Sequence, residues 1–285
     1  MSARILDGKW VRDQILSELV SRVDKVKQKG RPPGLAVVLV GHDPASEIYV
    51  RNKIKACADL GIYSERVAPP DTVTTEELLA IIEGLNQREE IDGILVQTPL
   101  PAQVDKQRIF ESVVPDKDVD GFHPVNVGKL VSNSPALRPC TPSGIIEMLR
   151  RYQIPIAGRR AVIVGRSDIV GKPMALLLLH QNATVTICHS KTPDLAGECH
   201  RADILVAAIG KPAYLTANFI RPGATVIDVG MNRKPDGKLI GDVDPEAMKD
   251  LSGAYTPVPG GVGPLTIAML MANTLSAAET HLCSG

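Results

Sequence analysis

The sequence predicts an α/β protein of two domains with mostly parallel sheets, and three observations lead to this expectation. The chain has 285 residues, which is long for one hydrophobic core and typical of about one or two domains. Near-continuous aliphatic runs, such as residues 35–40, suit strands that are buried on both faces, as in parallel sheets. These runs alternate with helical segments, and that alternation is typical of βαβ units.

The first half of the chain opens with three helices and three strands in alternation. Helices are expected over residues 7–29, 43–60 and 74–86, and strands over residues 35–40, 62–68 and 93–97. Asp43 followed by Pro44 matches an N-cap and a first helical residue. Thr74 with Glu77 matches a capping box. Gly61 is expected to end the second helix.

The second half of the chain resumes the alternation after a less regular stretch. Residues 114–131 contain Asp, Gly and Pro throughout, so we place the domain boundary after them, at Pro139. The expected domains are residues 1–139 and 140–264. Helices are expected over residues 141–152, 173–181 and 265–278, strands over 160–164, 184–188, 204–208 and 225–229, and a Gly/Pro loop over 253–266.

Composition and charge exclude several classes of protein. Lys plus Arg and Asp plus Glu both number 32, so the formal net charge is zero and no broad basic surface for nucleic acid is expected. The longest apolar runs, such as residues 174–179, are far shorter than the ~18 residues of a membrane span, and the N-terminus has no apolar signal core. The five cysteines form no Cys-x-x-Cys pair, which is typical of reduced thiols. We therefore expect a cytoplasmic protein without nucleic-acid or membrane partners.

The turn after the strand at residues 160–164 is similar to a dinucleotide-phosphate loop. The usual fingerprint is Gly-x-Gly-x-x-Gly between strand and helix. Here Gly165 ends the strand, Ser167 occupies the second glycine slot and Gly171 comes later. Pro173 fits the first helical turn, whose free N–H groups would face a phosphate. On these residues alone, a glycine-rich turn of any α/β protein remains open as an alternative.

The end of the next strand favours one dinucleotide over the other. An NAD site usually carries Asp or Glu near this point to hold the ribose 2′-hydroxyl, but residues 188–192 read Cys-His-Ser-Lys-Thr. Arg166, Ser190 and Lys191 are suited to a 2′-phosphate instead. NADP is therefore expected rather than NAD. The alternative is that these three residues belong to a solvated surface.

A second functional surface is indicated by Tyr49 and Lys53. The two lie four residues apart in a predicted helix, so their side chains share one face. This helix and Gln97 both follow the carboxyl ends of predicted strands, where ligands bind in open α/β sheets. We therefore expect an amine, a phenol and an amide to face one cleft. The alternative is that Lys53 belongs to a solvated basic stretch with Arg51 and Lys55, and that Tyr49 serves packing.

An acidic segment imitates a metal site. Residues 116–121, Asp-Lys-Asp-Val-Asp-Gly, match the start of a calcium loop, but the twelfth position is Val127 instead of Glu and the flanks are not paired helices. Calcium is therefore rejected, and one of these carboxylates is left for another ligand. His123 is interpreted as structural, and the six histidines show no metal-site spacing. No metal site is expected.

Together these segments resemble one family over essentially the whole chain, the bacterial bifunctional methylenetetrahydrofolate dehydrogenase/methenyltetrahydrofolate cyclohydrolases. The segments that carry the resemblance are residues 47–53, 97–101, 116–121, 165–167, 170–173 and 257–266. The last segment, Pro-Val-Pro-Gly-Gly-Val-Gly-Pro-Leu-Thr, has no independent physical interpretation. The resemblance implies NADP-dependent oxidation of 5,10-methylenetetrahydrofolate to 5,10-methenyltetrahydrofolate, then hydrolysis to 10-formyltetrahydrofolate.

The resemblance also implies an architecture and a set of partners. We expect an N-terminal α/β folate-binding catalytic domain and a Rossmann-like NADP-binding domain. The C-terminal segment, residues 265–285, is expected to return to the first domain and complete it. The family resemblance further implies a homodimer whose substrates are one-carbon derivatives of tetrahydrofolate.

The resemblance assigns roles to individual positions. Lys53 matches a catalytic lysine, Gln97 a glutamine that assists it, and Tyr49 a tyrosine that packs on the folate rings. Asp120 matches an aspartate that holds the pterin. Further folate-site positions are Leu100, Gly263 and Pro264. Positions matched to NADP contacts are Gly165, Arg166, Ser167, Ser190 and Met231, the last of which is often isoleucine in the family.

Two alternatives remain at the level of sequence. The first is a dehydrogenase that has lost the hydrolytic step, against which the retained Lys53 and Gln97 argue. The second is a non-catalytic sensor that would bind NADP without binding folate.

Overall fold

The computed structural model describes residues 3–283, apart from the side chains of Ala45 and Cys283. The strands, in chain order, are β1 (Arg4–Ile5), β2 (Gly34–Val38), β3 (Tyr63–Val67), β4 (Gly93–Val96), β5 (Arg160–Val164), β6 (Thr184–Cys188), β7 (Ile204–Ala207), β8 (Thr225–Asp228), β9 (Asn232–Arg233), β10 (Leu239–Ile240) and β11 (Ala254–Tyr255). The helices are α1 (Gly8–Lys27), α2 (Pro44–Leu60), α3 (Thr75–Asn86), α4 (Lys106–Ser112), α5 (Pro124–Val131), α6 (Cys140–Arg151), α7 (Gly171–His180), α8 (Leu195–Cys199), α9 (Pro245–Leu251) and α10 (Gly263–Cys283). Across residues 3–283, every helix is too short or too polar to span a lipid bilayer.

The chain divides into two compact units, named here by their sheets. The three-stranded unit contains Gln14–Cys140 and residues 267–283. The six-stranded unit contains residues 3–13 and Thr141–Thr266. Both units are α/β structures with parallel sheets, as the alternation of aliphatic runs and helices predicts.

In the three-stranded unit, β2 lies in the middle of the sheet and pairs in parallel with β3 and β4. β2 and β4 are buried along their whole length, which explains their continuous aliphatic sequences. Leu78 and Ile82 of α3 pack into the core of this unit with Ile109 of α4. Val38 is paired with Val96, so the carboxyl ends of β2 and β4 lie side by side. The residues that follow these two strands therefore share one edge of the sheet.

In the six-stranded unit the strand order is β1-β11-β8-β7-β5-β6, and all neighbouring strands are parallel. A separate antiparallel pair is formed by β9 and β10. Val164 at the end of β5 is paired with Cys188 of β6 on one side and with Ala207 of β7 on the other. The loops that follow these three strands consequently emerge at the same edge, the usual location of a ligand site in an open parallel sheet.

The helix-capping signals of the sequence are confirmed. Asp43 accepts a hydrogen bond from the backbone N–H of Ser46 at 2.8 Å, and Pro44 is the first residue of α2. Thr74 and Glu77 form a reciprocal capping box at the start of α3, with hydrogen bonds of 3.2 and 2.8 Å. Each cap satisfies backbone donors that the first helical turn leaves without an intrahelical partner.

Several short elements were absent from the expected pattern. They are α4, α5, α8, α9, β9, β10 and β11, which contain between two and eight residues. Elements of this length complete too few turns or pleats to show a hydrophobic period. The irregular stretch at residues 114–131 thus contains α5, and the loop expected over 253–266 contains β11.

The first residues of the chain group differently from the expected division at Pro139, which placed them in the first domain. Here β1 is the outer strand of the six-stranded sheet, and Arg4 is paired with Ala254 of β11. The backbone N–H of Leu6 also donates to the carbonyl of Tyr255 at 2.8 Å. A two-residue strand carries no sequence signal of its partner, since that partner lies near the other end of the chain.

A buried carboxylate ties the three-stranded unit together. Asp92, which has no solvent exposure, accepts two hydrogen bonds from Arg31 at 2.6 and 2.8 Å and one from the N–H of Gly34 at 2.9 Å. His281 of α10 lies 3.0 Å away through Nδ1. Burial alone would raise the pKa of Asp92, but the hydrogen bonds from Arg31, His281 and Gly34 outweigh it and lower that pKa.

We expect Asp92→Asn to lower the free energy of unfolding by about 3 kcal/mol at neutral pH, because Arg31 loses its buried counter-ion. Since the pKa of Asp92 is lower in the folded than in the unfolded state, its contribution is present above the unfolded value of about 3.9 and is lost as pH falls through the folded value. Urea unfolding followed by circular dichroism at pH 7, 5 and 3 measures the free energy of unfolding of both proteins. The difference between wild type and variant should become small only at the lowest pH. The control is Asp59→Asn, at an exposed ion pair with Lys55. Equal losses for both variants at pH 7 would contradict this role of Asp92.

Candidate functional site

The structure brings Lys53 and Gln97 into direct contact. Lys53 lies on α2, which follows β2, and Gln97 follows β4 directly. Because β2 and β4 are neighbours, the two side chains meet at the same edge of the sheet, and Lys53 Nζ donates a hydrogen bond to Gln97 Oε1 at 2.9 Å. Gln97 Nε2 in turn donates to the carbonyl of Thr98 at 2.8 Å. This second bond fixes the amide so that its oxygen faces the amine.

The surroundings of Lys53 favour its uncharged form. The side chain is half-buried, and burial lowers the pKa of Lys53 from its ordinary value. The negative charge of Asp120 acts in the opposite direction without cancelling the effect of burial. A lysine whose pKa is lowered towards neutrality can accept a proton, which an ordinary lysine does poorly.

Among charged groups, Asp120 has the largest effect on the pKa of Lys53. Burial raises the pKa of Asp120 to about 7, an effect that Lys53 opposes and Asp118 reinforces. Among the residues that the structure describes, no group donates a hydrogen bond to this carboxylate. Its hydrogen-bonding capacity is thus left for a ligand, and near neutral pH it exists in both protonation states.

The neighbouring Asp118 has a different role, because its carboxylate holds the loop together. It accepts hydrogen bonds from the N–H groups of Gly121 at 3.1 Å and His123 at 2.8 Å, and from Asn126 Nδ2 at 2.9 Å. His123 caps α5 by accepting from the N–H of Val125 at 3.1 Å. The sequence identified the acidic segment but did not separate these roles, since they depend on contacts with α5.

Tyr49 precedes Lys53 in the chain, and Leu100 follows Gln97. Tyr49 lies one helical turn before Lys53 on α2, and 40% of its surface is exposed. A tyrosine ring left this accessible offers a flat apolar face to a planar ligand. Leu100 is half-buried and packs against the core of the three-stranded unit, where it gives the loop after Gln97 an apolar anchor.

The turn between β5 and α7 in the six-stranded unit is built for close backbone approach. Gly165 has a φ of 130°, and a Cβ atom there would overlap the carbonyl oxygen of Ala208. A Cβ at Gly171 would likewise overlap the carbonyl oxygen of Gly165. Ser167 Oγ accepts hydrogen bonds from the N–H groups of Val170 at 3.2 Å and Gly171 at 3.3 Å. The turn therefore carries no side chain at its two closest backbone approaches, and Ser167 ties it to the start of α7.

Residues suited to a second phosphate lie beside this turn. Val164 of β5 is paired with Cys188 of β6, so Arg166 and Ser190 each follow a paired position by two residues. Arg166, Ser190 and Lys191 are all exposed. Their proximity at one sheet edge is compatible with binding a 2′-phosphate and equally with a solvated surface.

Met231, Gly263 and Pro264 lie close together in the six-stranded unit. Met231 is 41% exposed, and a Cβ built on Gly263 would be 3.2 Å from its Sδ. Pro264 follows Gly263 in the first turn of α10. These three residues form one surface, although the sequence assigned Met231 to the cofactor and the other two to the folate.

Two buried carboxylates near the same sheet edge were not anticipated. Asp242 accepts hydrogen bonds from the N–H groups of Ile209 at 2.6 Å, Gly210 at 3.0 Å and Lys211 at 2.9 Å, and so shapes the loop after β7. Asp228, at the end of β8, accepts from three further N–H groups, and burial raises its pKa to about 6. Neither residue belongs to a recognisable motif, because most of the backbone groups that they bind are more than ten residues away in sequence.

Comparison with known protein families gives two matches that together cover most of the chain. Residues 6–120 match the catalytic domain of tetrahydrofolate dehydrogenase/cyclohydrolase. Residues 139–282 match the NAD(P)-binding domain of the same family. The two matched ranges correspond broadly to the two parts of the chain that contain Lys53 and the Gly165 turn.

Individual relatives are similar along their whole length. The bifunctional protein FolD of Solibacter usitatus is 65% identical, over 97% of this chain and 97% of that protein. A crystal structure of the bifunctional FolD dehydrogenase/cyclohydrolase from Campylobacter jejuni is 46% identical with a TM-score of 0.95, over 98% of this chain and 99% of that one. The FolD of Trypanosoma brucei, solved in complex with NADP cofactor and an inhibitor, is 40% identical with a TM-score of 0.93, over 98% of each chain.

We expect Gly165→Ala to destabilise the protein strongly, because the added methyl group overlaps a backbone carbonyl and the residue must keep a positive φ. Gly158→Ala is the matched control, since it shares a positive φ of 74° but meets no atom within 4 Å. Thermal unfolding should show a clearly larger loss for Gly165→Ala than for Gly158→Ala. Equal losses would mean that close backbone approach at Gly165 is unimportant.

Proposed function

The chain belongs to the tetrahydrofolate dehydrogenase/cyclohydrolase family, and from this premise we propose that Lys53, Gln97 and Asp120 are the working groups of its folate site. The protein is a bifunctional enzyme of folate one-carbon metabolism that uses NADP. It oxidises 5,10-methylenetetrahydrofolate to 5,10-methenyltetrahydrofolate and hydrolyses the product to 10-formyltetrahydrofolate. The observation that carries the residue assignment is the 2.9 Å hydrogen bond between Lys53 and Gln97, next to the charge of Asp120.

The oxidation step requires alignment more than proton transfer. The carbon that loses hydride lies between two nitrogens, whose lone pairs stabilise the cation that forms. NADP supplies the hydride acceptor when it is bound. Asp120 and Tyr49 orient the folate in this proposal, Asp120 by hydrogen bonding to the pterin and Tyr49 by stacking against its rings.

The hydrolytic step requires a base, and Lys53 is the proposed one. Water adds to the methenyl carbon and loses protons, and a ring nitrogen gains one as the ring opens. Burial lowers the pKa of Lys53, so a larger share of the amine is neutral and able to accept a proton. Gln97 supports this role because its oxygen holds the amine in place without adding a negative charge that would stabilise the ammonium form.

The substrate itself is expected to strengthen this arrangement. The methenyl derivative is a cation, and a nearby positive charge lowers the pKa values of both amines and carboxyls. Lys53 would therefore become more completely neutral, while Asp120, whose pKa burial raises to about 7, would become a carboxylate. The bound cation thus promotes the base and gains a counter-ion at the same time.

The cofactor is assigned to the turn between β5 and α7. Gly165, Ser167 and the start of α7 are proposed to hold the pyrophosphate, because the turn leads directly into α7, whose N-terminal end carries a partial positive charge. Arg166 and Ser190 are proposed to hold the 2′-phosphate, and Met231 to provide an apolar contact. Exposure of these three side chains supports the assignment, since each is accessible to a ligand.

The remaining expectations concern domains, assembly and location. We propose that the three-stranded unit binds folate with Leu100 in its lining, that the six-stranded unit binds NADP, and that Gly263 and Pro264 belong to the folate loop.

A homodimer is proposed from the family resemblance, and a sedimentation mass equal to the 30.5 kDa of one chain would contradict it. A cytoplasmic location is supported by the free thiols of Cys57, Cys140, Cys188 and Cys199, and export of the native protein would refute it.

A coupled assay tests the two activities together. Methylenetetrahydrofolate and NADP are mixed with the protein, and reduced cofactor and the methenyl intermediate are followed by their separate absorbances. Both activities predict NADPH formation with little accumulation of the methenyl intermediate. Its stoichiometric accumulation, with decay at the rate seen without enzyme, would mean that hydrolysis has been lost.

We expect Lys53→Met to reduce methenyltetrahydrofolate hydrolysis roughly 100-fold or more, the usual contribution of a general base, while the fold remains intact. The matched control is Lys55→Met on the same helix, where the exposed amine pairs with Asp59 at 2.8 Å. Decay of methenyl absorbance measures hydrolysis, and circular dichroism checks the fold. Near-normal hydrolysis by a folded Lys53→Met protein would remove Lys53 from the role.

We expect Arg166→Ala to raise the KM for NADP about 10-fold or more, since a charged hydrogen bond to phosphate contributes about 1.5–3 kcal/mol. The KM for NAD, which lacks the 2′-phosphate, should change little. Arg159→Ala, at another exposed arginine just before β5, serves as the control. If Arg166→Ala changed the KM for NADP and NAD equally, or left the KM for NADP unchanged, Arg166 would instead belong to a solvated surface.

A further inference from the structure

Asn273, on α10, joins two backbone segments next to Asp120. Its side chain is buried, with 9% of its surface exposed. Nδ2 donates hydrogen bonds to the carbonyl of Val119 at 2.8 Å and to the carbonyl of Arg138 at 2.9 Å. Nδ2 also lies 3.5 Å from Cys140 Sγ, so both hydrogens of the amide have partners. One side chain from the C-terminal helix therefore holds two segments that are distant from it in sequence.

The first of these bonds acts on the peptide group that leads into Asp120. The Val119 carbonyl and the Asp120 nitrogen belong to one planar unit, and the same oxygen also accepts from Cys140 Sγ at 3.3 Å. Burial keeps Cys140 protonated and able to donate, because it raises the pKa of the thiol well above its ordinary value. The plane before Asp120 is thus fixed by two donors.

The peptide group after Asp120 is fixed as well. The N–H of Gly121 donates to Asp118 Oδ1 at 3.1 Å. Gly121 has a φ of 74°, and a Cβ atom there would be 2.6 Å from the carbonyl carbon of Arg138. The loop backbone therefore lies directly against the segment that Asn273 holds through Arg138, and the second bond of Asn273 supports the same loop from its other side.

The direction of the Asp120 carboxylate depends on this backbone support. Its side chain receives no hydrogen bond from the part of the chain that the structure describes, so its direction is set by the positions of its own backbone atoms together with the charge of Lys53. We propose that Asn273 is a positioning residue for folate binding, which acts through the Val119–Asp120 peptide without touching the substrate. This inference deepens the proposed function and depends on the assignment of Asp120 to the pterin.

The test compares Asn273→Asp with Thr274→Val. The aspartate keeps the size of the side chain but turns an oxygen towards two carbonyl oxygens, so the Val119 and Arg138 bonds are lost. Thr274 is the matched control because it is fully buried on the same helix and its hydroxyl donates only within that helix, to Leu270 at 2.9 Å. Asn273→Asp should raise the KM for methylenetetrahydrofolate tenfold or more and leave the KM for NADP within about twofold, whereas Thr274→Val should change neither. A general loss of stability would not produce this split.

A double-mutant cycle decides whether Asn273 acts through Asp120. If it does, adding Asn273→Asp to Asp120→Ala should produce no further rise in the KM for folate. The proposal would be overturned if the two substitutions raised the KM for folate by factors that multiply in the double variant. It would also be overturned if a folded and active Asn273→Asp protein had an unchanged KM for folate. Should Asn273→Asp not fold, Asn273→Ser, with a shorter side chain that reaches neither carbonyl, is held to the same outcomes. Failure of the proposed function is separate, because wild type and Thr274→Val would then also lack activity with folate.

Discussion

The burial of one amine against a neutral acceptor is the interaction on which the rest of this site depends. Lys53 meets the oxygen of Gln97 at 2.9 Å, and Asp120, the carboxylate whose charge acts on Lys53, is itself made less acidic by burial. A fully ionised carboxylate in direct contact would hold the lysine as an ammonium ion, which cannot act as a base. The geometry instead keeps the amine ordered, and burial lowers its pKa below that of an exposed lysine.

The parallel sheet makes this arrangement possible. Adjacent parallel strands bring their carboxyl ends to one edge, so the residues after β2 and β4 meet without any long connection. The same principle operates in the six-stranded unit, where the segments after β5 and β6 present Gly165, Arg166 and Ser190. The residues proposed for the folate site and those proposed for the cofactor turn thus each follow the carboxyl ends of parallel strands.

Much of this architecture could be predicted from sequence, because its signals are local. The aliphatic runs predicted the buried strands, and the capping residues predicted where the helices start. The positions of Lys53 and Gln97 after two strands predicted that they lie at one edge of a sheet. The roles of Asp118 and Asn273 could not be predicted in this way. Asn273 is 154 residues from Val119, whose carbonyl it holds. Asp118 differs from Asp120 through the hydrogen bonds that it accepts from Gly121, His123 and Asn126. Neither the helical nor the strand period carries information about such contacts. For the same reason the pairing of β1 with β11 was not expected, nor the anchoring of loops by Asp228 and Asp242.

The alternative of a non-catalytic sensor is excluded by membership of an enzyme family along the whole chain.

The most direct test is an NMR titration of the Lys53 side chain, with lysines labelled at Cε and the resonance assigned from its absence in Lys53→Met. We expect a pKa for Lys53 clearly below the ordinary lysine value of about 10.4. We expect a still lower value in Asp120→Asn, because the negative charge that raises this pKa is then removed. A Lys53 pKa at or above the ordinary value would contradict the central claim that burial prepares this amine to act as a base.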